Sequence, residues 1–412
     1  MQSKPYKALF VVGLIGLLIG LIGMGNRFWF GHVGMAYGSY VPWGLWVVFD
    51  LLFLGLASGA YLMVACIYVF GMKRFEHLAP IAVLTVLVSL LCQAIIISLD
   101  LGQPFRVYRF LMSPSFTSML TWLVIFILIT WLIYIPMFYL LIRKKLILWS
   151  QESGRKGKWL YRWLAFGKTA YTDQEDDCDQ KWVRRLAWIS IPIGICFFSV
   201  QGLFFGTIVN RPLWSSALTP VLFITTAFLS GASLLAVLAS VYDRVVQTHA
   251  AEFFGRLVRY LLIGLLFLEA FRFITGYASG NPATVDALNL IVAGPGWWAF
   301  WIVHLLFGGL VPLYLLIRRP GDASAVLKAA ILVMLSILAI RYHAVIPDMA
   351  AYPLEGLGET FIHPRLMTAY TPTIYEWLVG LWILSLWLVV FLLGIRWLPV
   401  NPIEKGDEPH VS

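Results

Sequence analysis

The chain has 412 residues, of which 60% are hydrophobic and only 12% charged. A soluble domain carries about twice that charge, so the composition excludes a free-standing soluble enzyme. The net charge of +9 resembles a nucleic-acid signal, but its distribution along the chain marks it as a topology signal.

A helix that crosses a bilayer needs about 20 mostly apolar residues. Ten such runs are predicted in chain order: 8–25, 42–70, 78–99, 115–142, 186–209, 214–242, 254–276, 297–317, 324–345 and 374–398. The fold class expected is therefore an all-α integral membrane protein. The first run is glycine-rich and lacks a small-x-small cleavage site, so it reads as an anchor. With the N-terminus inside, 23 of the 30 Lys and Arg fall on the inner side and 7 on the outer. That excess puts both termini in the cytoplasm of a bacterial inner membrane. Segment 143–185 holds eleven of the inner cations and then the acidic run Asp173–Asp179. It reads as a solvated loop near anionic lipid, or as a docking point for a partner. Cys66, Cys92, Cys178 and Cys196 form no CxxC pair, so neither an Fe–S cluster nor zinc is expected in this chain.

An internal repeat is visible. Span two contains Leu56-Ala57-Ser58-Gly59-Ala60 and span six Leu229-Ser230-Gly231-Ala232. Pro42-Trp43 precedes the first and Pro212-Leu213-Trp214 the second. An acid followed by an arginine also recurs four spans apart, as Asp100 with Arg106 and Glu269 with Arg272. This suggests two four-helix bundles of like orientation, residues 42–209 and 214–345. Residues 1–41 and 346–412 would add a peripheral helix each.

Ionisable groups inside a bilayer are costly and tend to be functional. Asp50 is expected roughly 12 Å below the outer end of span two, and Glu269 roughly 10 Å from that of span seven. Arg272 shares the face of Glu269, so beside a functional role these two are the strongest candidates for a structural ion pair. His304, Arg341 and His343 fall toward the outer ends of their spans, and His32, Asp100, Arg106 and Arg211 line the outer ends and loops. The inner halves carry little charge, so a polar pocket is expected near the outer face. A His and a carboxylate at its mouth suit quinone chemistry, which needs a hydrogen-bond donor and two protons.

Three segments then resemble the NrfD/polysulfide-reductase family of membrane subunits. They are His32 to Asp50 with its Pro42-Trp43-Gly44, Asp100-Leu101-Gly102-Gln103-Pro104-Phe105-Arg106, and Arg211-Pro212-Leu213-Trp214 leading into Ser230-Gly231. The resemblance implies a quinone-binding subunit without haem that docks an Fe–S protein on the periplasmic side. The ten-span form is similar to members that reduce menaquinone. In those, a periplasmic Fe–S subunit, a molybdopterin-type subunit and a multihaem cytochrome subunit are the partners. By position His32 and Asp100 match the catalytic, quinone-contacting pair, and Arg211 matches a pocket arginine. Arg106 is assigned to the quinone pocket from its place after the Asp-Leu-Gly segment. Asp50, Glu269, Arg272, Arg341 and His343 form a candidate proton route, with a cytoplasmic source making turnover electrogenic. Three other readings stay open: a haem b held by His304 and His343, a secondary transporter, and a membrane anchor without a quinone site.

Overall fold

The computed structural model describes residues 4–152, 157–246, 249–354, 356–360, 363, 366 and 368–401. Arg155, Lys156, Arg365 and Lys405 of the charge count lie outside these. Ten long helices follow in chain order: α1 (Lys4–Phe30), α2 (Leu45–Val69), α3 (Ala79–Asp100), α4 (Met119–Gln151) and α5 (Asp173–Gly206). Then come α6 (Leu218–Val246), α7 (Ala250–Ala278), α8 (Ala299–Arg318), α9 (Ala323–Ala350) and α10 (Ile374–Trp397). Among the described residues there is no strand. All of these helices except α7 are long and apolar enough to cross a membrane. The protein is an all-α integral membrane protein, and every predicted run lies on one of the ten helices.

The packing follows the small residues. α2 lies against α3, α6 and α9, and α6 against α2, α5, α7 and α9. The two repeated motifs meet where α2 crosses α6. Ser58 Oγ donates to the Ala227 carbonyl at 2.5 Å, and a Cβ on Gly59 would stand 3.0 Å from the Gly231 carbonyl oxygen. Only glycine permits backbones this close. α4 pairs with α5, and α8 with α9. α1 sits at the edge, held mainly by α10, which in turn rests on α3 and α2. Glycines on α1 permit that contact, since a Cβ at Gly20 or Gly23 would collide with α10.

The segment expected as a solvated loop, 143–185, is largely helix. α4 runs on to Gln151, and α5 begins at Asp173 behind a capping box made by Thr172 and Glu175. The acidic run is thus the first turns of α5, where the helix dipole favours negative charge. Arg143 donates to both carboxylate oxygens of Asp179, Lys144 pairs with Asp176, and Lys168 pairs with Glu175. Charges that look like separate tracts in sequence are therefore partly paired in space, through Arg143 and Lys144 on α4 and Lys168 just before α5. This is the basic end of the molecule, and the opposite end is the His32 end.

Candidate functional site

At the His32 end, residues 31–44 leave α1 and turn back into α2. Three contacts fix this turn. The Arg27 guanidinium is buried and donates to the carbonyls of Leu99 (2.7 Å) and Leu101 (2.6 Å), the unsatisfied acceptors at the C-terminus of α3. The Glu376 carboxylate, wholly buried at the start of α10, accepts from the Ala36 amide at 2.9 Å and from the Tyr370 hydroxyl. The Tyr370 hydroxyl accepts in turn from the Leu45 amide at 2.7 Å.

Within this frame the Tyr37 hydroxyl donates to Asp100 Oδ1 at 2.8 Å. The His32 ring packs 5.2 Å from the Tyr37 ring and 5.8 Å from Trp46. His32 and Asp100 are thus brought together, with Tyr37 between them. Burial, reinforced by the Arg27 charge, holds the His32 imidazole below its ordinary pKa, so it is neutral at pH 7. Burial and the nearby carboxylates of Asp100 and Glu376 push the Tyr37 phenol up, and it stays protonated as a donor.

Asp100 also lines a cavity of about 120 Å³ with Asp50, Gln93 and Gln201, walled by Trp43, Phe204 and Phe205. Asp50 faces the Gln93 amide and lies within electrostatic reach of Asp100 on α3 and Arg341 on α9. It is the sixth residue of α2, so it sits roughly 8 Å below the helix end rather than 12 Å.

Arg106 and Arg211 are placed elsewhere. Arg106 is exposed in the short helix Pro104–Arg106. Arg211 is buried, but its guanidinium is occupied by backbone. It donates to the carbonyls of Asp348, Met349 and Ala351 at 2.9–3.2 Å, and to Tyr40 at 3.0 Å. Asp348 completes this clamp by accepting from the amides of Leu213 and Trp214. Arg211 therefore ties three loops together and does not line the Asp100 cavity.

The second polar group lies among α6, α7, α8 and α9. Glu269 meets His304 rather than Arg272, with His304 Nε2 3.1 Å from Glu269 Oε2. Among the described residues no Glu269–Arg272 contact reaches ion-pair distance, although Arg272 remains in the electrostatic field of Glu269 and Asp348. His304 lies on the π-helical stretch Ala299–Leu310, a wide and uncommon turn often found where function needs a displaced side chain. The His343 ring is 6.3 Å from that of His304 and nearly parallel to it, and Phe300 stands edge-on to both. α9 continues to Ala350, so His343 sits two turns deep rather than at the helix end. Arg341 lies over the Phe223 ring at 5.1 Å and borders a void of about 30 Å³ with Glu269 and Arg272. One or two waters fit there, at about 10–15 Å³ each.

Four residues of this architecture carry no signal that reading along the chain picks out. Tyr37 is uncharged, Arg27 counts only as one outer cation, and Asp348 and Glu376 read as helix-end acids. The capping pattern Thr373-x-x-Glu376 foretells the start of α10 but not the reach of Glu376 to Ala36.

Residues 34–351 match the family described as polysulphide reductase, NrfD, and the chain belongs to that family. It is 28% identical to a selenate reductase subunit of Mesobacillus selenatarsenatis, over 98% of this chain and 96% of that one. It is 25% identical to the Hdr-like menaquinol oxidoreductase integral membrane subunit of Archaeoglobus fulgidus, over 93% of this chain and 88% of that one. A putative dimethyl sulfoxide reductase membrane subunit of Halobacterium salinarum is 24% identical, over 95% and 91%.

Proposed function

We propose that this chain is the quinone-reactive membrane subunit of a respiratory oxidoreductase complex, carrying electrons from partners on its His32 side to menaquinone. The partners would be a periplasmic Fe–S subunit, a molybdopterin-type subunit and a multihaem cytochrome subunit, with the His32 end facing the periplasm. The observation that carries the reading is Asp100, which lines a cavity with aromatic walls and accepts from Tyr37, itself packed against a neutral His32. Reducing a quinone to a quinol takes two electrons and two protons. The electrons come from the partner. The protons come through groups within hydrogen-bond reach of the ring oxygens, and Asp100, Tyr37 and His32 are the groups assembled there. Trp43, Phe204 and Phe205 supply the flat apolar walls that a ring requires.

Protons would reach this site from the second polar group. Asp50 and Arg341 couple the two bundles, and Glu269, Arg272 and His343, with His304 now added, extend the path through α7, α8 and α9. A cytoplasmic source would make turnover electrogenic. The same residues serve quinol oxidation when the partner has the higher potential, and the name of the Archaeoglobus relative favours menaquinone chemistry in either direction.

The test is quinone-linked turnover of the assembled complex with His32→Ala or Asp100→Asn. Both variants are expected to assemble and to lose turnover with a menaquinone analogue. Unchanged turnover in both would leave the chain as an anchor without quinone chemistry.

A further inference from the structure

A second cavity system lies on the other side of Tyr370. Between α8, α9 and α10 is a cleft of about 270 Å³ lined by Trp298, Val303, Leu338, Tyr342, Tyr370 and Trp377. Half of Trp298 and much of Trp377 are exposed on the apolar belt of the molecule, so the cleft opens sideways to lipid. Its inner end adjoins a cavity of about 210 Å³ that shares Pro295, Gly296, Tyr342 and Tyr370 with it and reaches His343. His343 is only 5% exposed, and neither ring nitrogen makes an aligned hydrogen bond among the described residues, the backbone of Gly296 and Ala339 being its nearest polar neighbours. A buried imidazole without a partner is costly, and a ligand acceptor placed against it removes the cost.

The occupant must therefore combine a long apolar part that arrives through the bilayer with one hydrogen-bonding oxygen on a compact head. A phospholipid acyl chain would fill the apolar cleft and leave His343 unpartnered. A soluble anion would find no cation lining the cleft. A ring carbonyl on an isoprenoid chain meets both requirements, and the aromatic walls suit its faces. The cleft also shares a wall with the first site, since Tyr370 donates to Glu376, and Glu376 lies in the field of Tyr37 and Asp100.

We propose that this cleft is a second isoprenoid-quinone binding site, entered from the lipid between α8, α9 and α10, with His343 and Tyr342 as donors to the ring oxygens. The inference rests on the reading that the chain acts on quinones, and it is confined to binding.

Irradiating the assembled wild-type complex with a photoreactive menaquinone analogue and mapping the labelled peptides tests it without a variant. Label is expected in residues 295–303 or 335–343 as well as in 32–50. Label in 32–50 alone overturns the second site, and label in 295–303 or 335–343 alone keeps it and overturns the first. No label in any of these segments overturns both. Counting extracted quinone sharpens the result. Ala339→Trp, which fills the cleft, should remove one quinone per complex and abolish labelling of 335–343, whereas His32→Ala should not. Loss of phospholipid with unchanged quinone in Ala339→Trp overturns the proposal.

Discussion

The polar residues around Asp100 and those around His343 are held differently. Around Asp100 several buried groups are paired: Arg27 on two carbonyls, Tyr37 on Asp100, and Glu376 on an amide and a phenol, while His32 Nε2 and the Gln93 amide oxygen lack an aligned partner among the described residues. Around His343 the buried groups are largely orphaned. Both nitrogens of His343 lack aligned hydrogen bonds within the described protein, as do both of His304 and two of the Arg341 nitrogens. A satisfied network holds its geometry whether or not a ligand is present. Buried polar groups without aligned protein partners are costly and call for completion by another group, ordered water included. The first region is therefore the more firmly held of the two, in keeping with the reaction site proposed for it.

Disrupting the seam between the two regions should have the largest effect. Gly231→Leu puts a side chain into the backbone of Gly59. Overpacking of this kind costs about 1–3 kcal/mol even where neighbours can yield, and here backbone meets backbone. We expect loss of folded protein, read as recovery after detergent extraction and size exclusion. Next come the groups of the preorganised site. Asp100→Asn or His32→Ala should lower quinone-linked turnover by at least about 100-fold, the usual weight of a positioned acid or base, with assembly intact. Tyr37→Phe tests the same site by a smaller step. Groups of the second region should act on protons rather than on assembly. Glu269→Gln or Arg341→Met should slow proton uptake, read with a pH indicator in proteoliposomes, by less than the change at Asp100 does, and leave first-site labelling by the photoreactive quinone in place.

Acidity gives a weaker but signed test. His32 has its folded pKa lowered by burial and by Arg27. Its contribution to stability is therefore fully present above the unfolded value of about 6.5 and is lost as pH falls through the folded value. The melting temperature of the wild-type complex should drop on that acid side, and His32→Gln should flatten this part of the profile. The smallest effect is expected at Arg106, which is exposed. Arg106→Ala should change stability by no more than about 0.5 kcal/mol and leave turnover near wild type, and a large loss of turnover would return it to the quinone site.

Much of this fold is legible in the chain, because span length and hydropathy are local properties that the bilayer imposes. The Ser58-Gly59 and Ser230-Gly231 motifs are legible too, since close helix contact selects small residues. His32 and Asp100 are recognisable by type and order, yet their bridge through Tyr37 depends on how two loops fold back. Arg211 shows the limit most plainly. A buried arginine near a polar pocket suggests a ligand contact, but the four carbonyls it serves come from Tyr40 and from residues 348–351. Nothing adjacent in sequence announces them. The 143–185 segment fails for the opposite reason: its charges are conspicuous one by one, but their pairing between α4 and α5 is long-range.

The grip of Glu376 on Ala36 and Tyr370 has a consequence for biogenesis. α1 and α10 lie far apart in the chain yet are neighbours in the fold, and α10 supplies the carboxylate that holds the turn between α1 and α2. During synthesis the turn at 31–44 thus stays unbraced until α10 enters the bilayer. Translation products that stop before α10 should therefore be recognised as incomplete by membrane proteases.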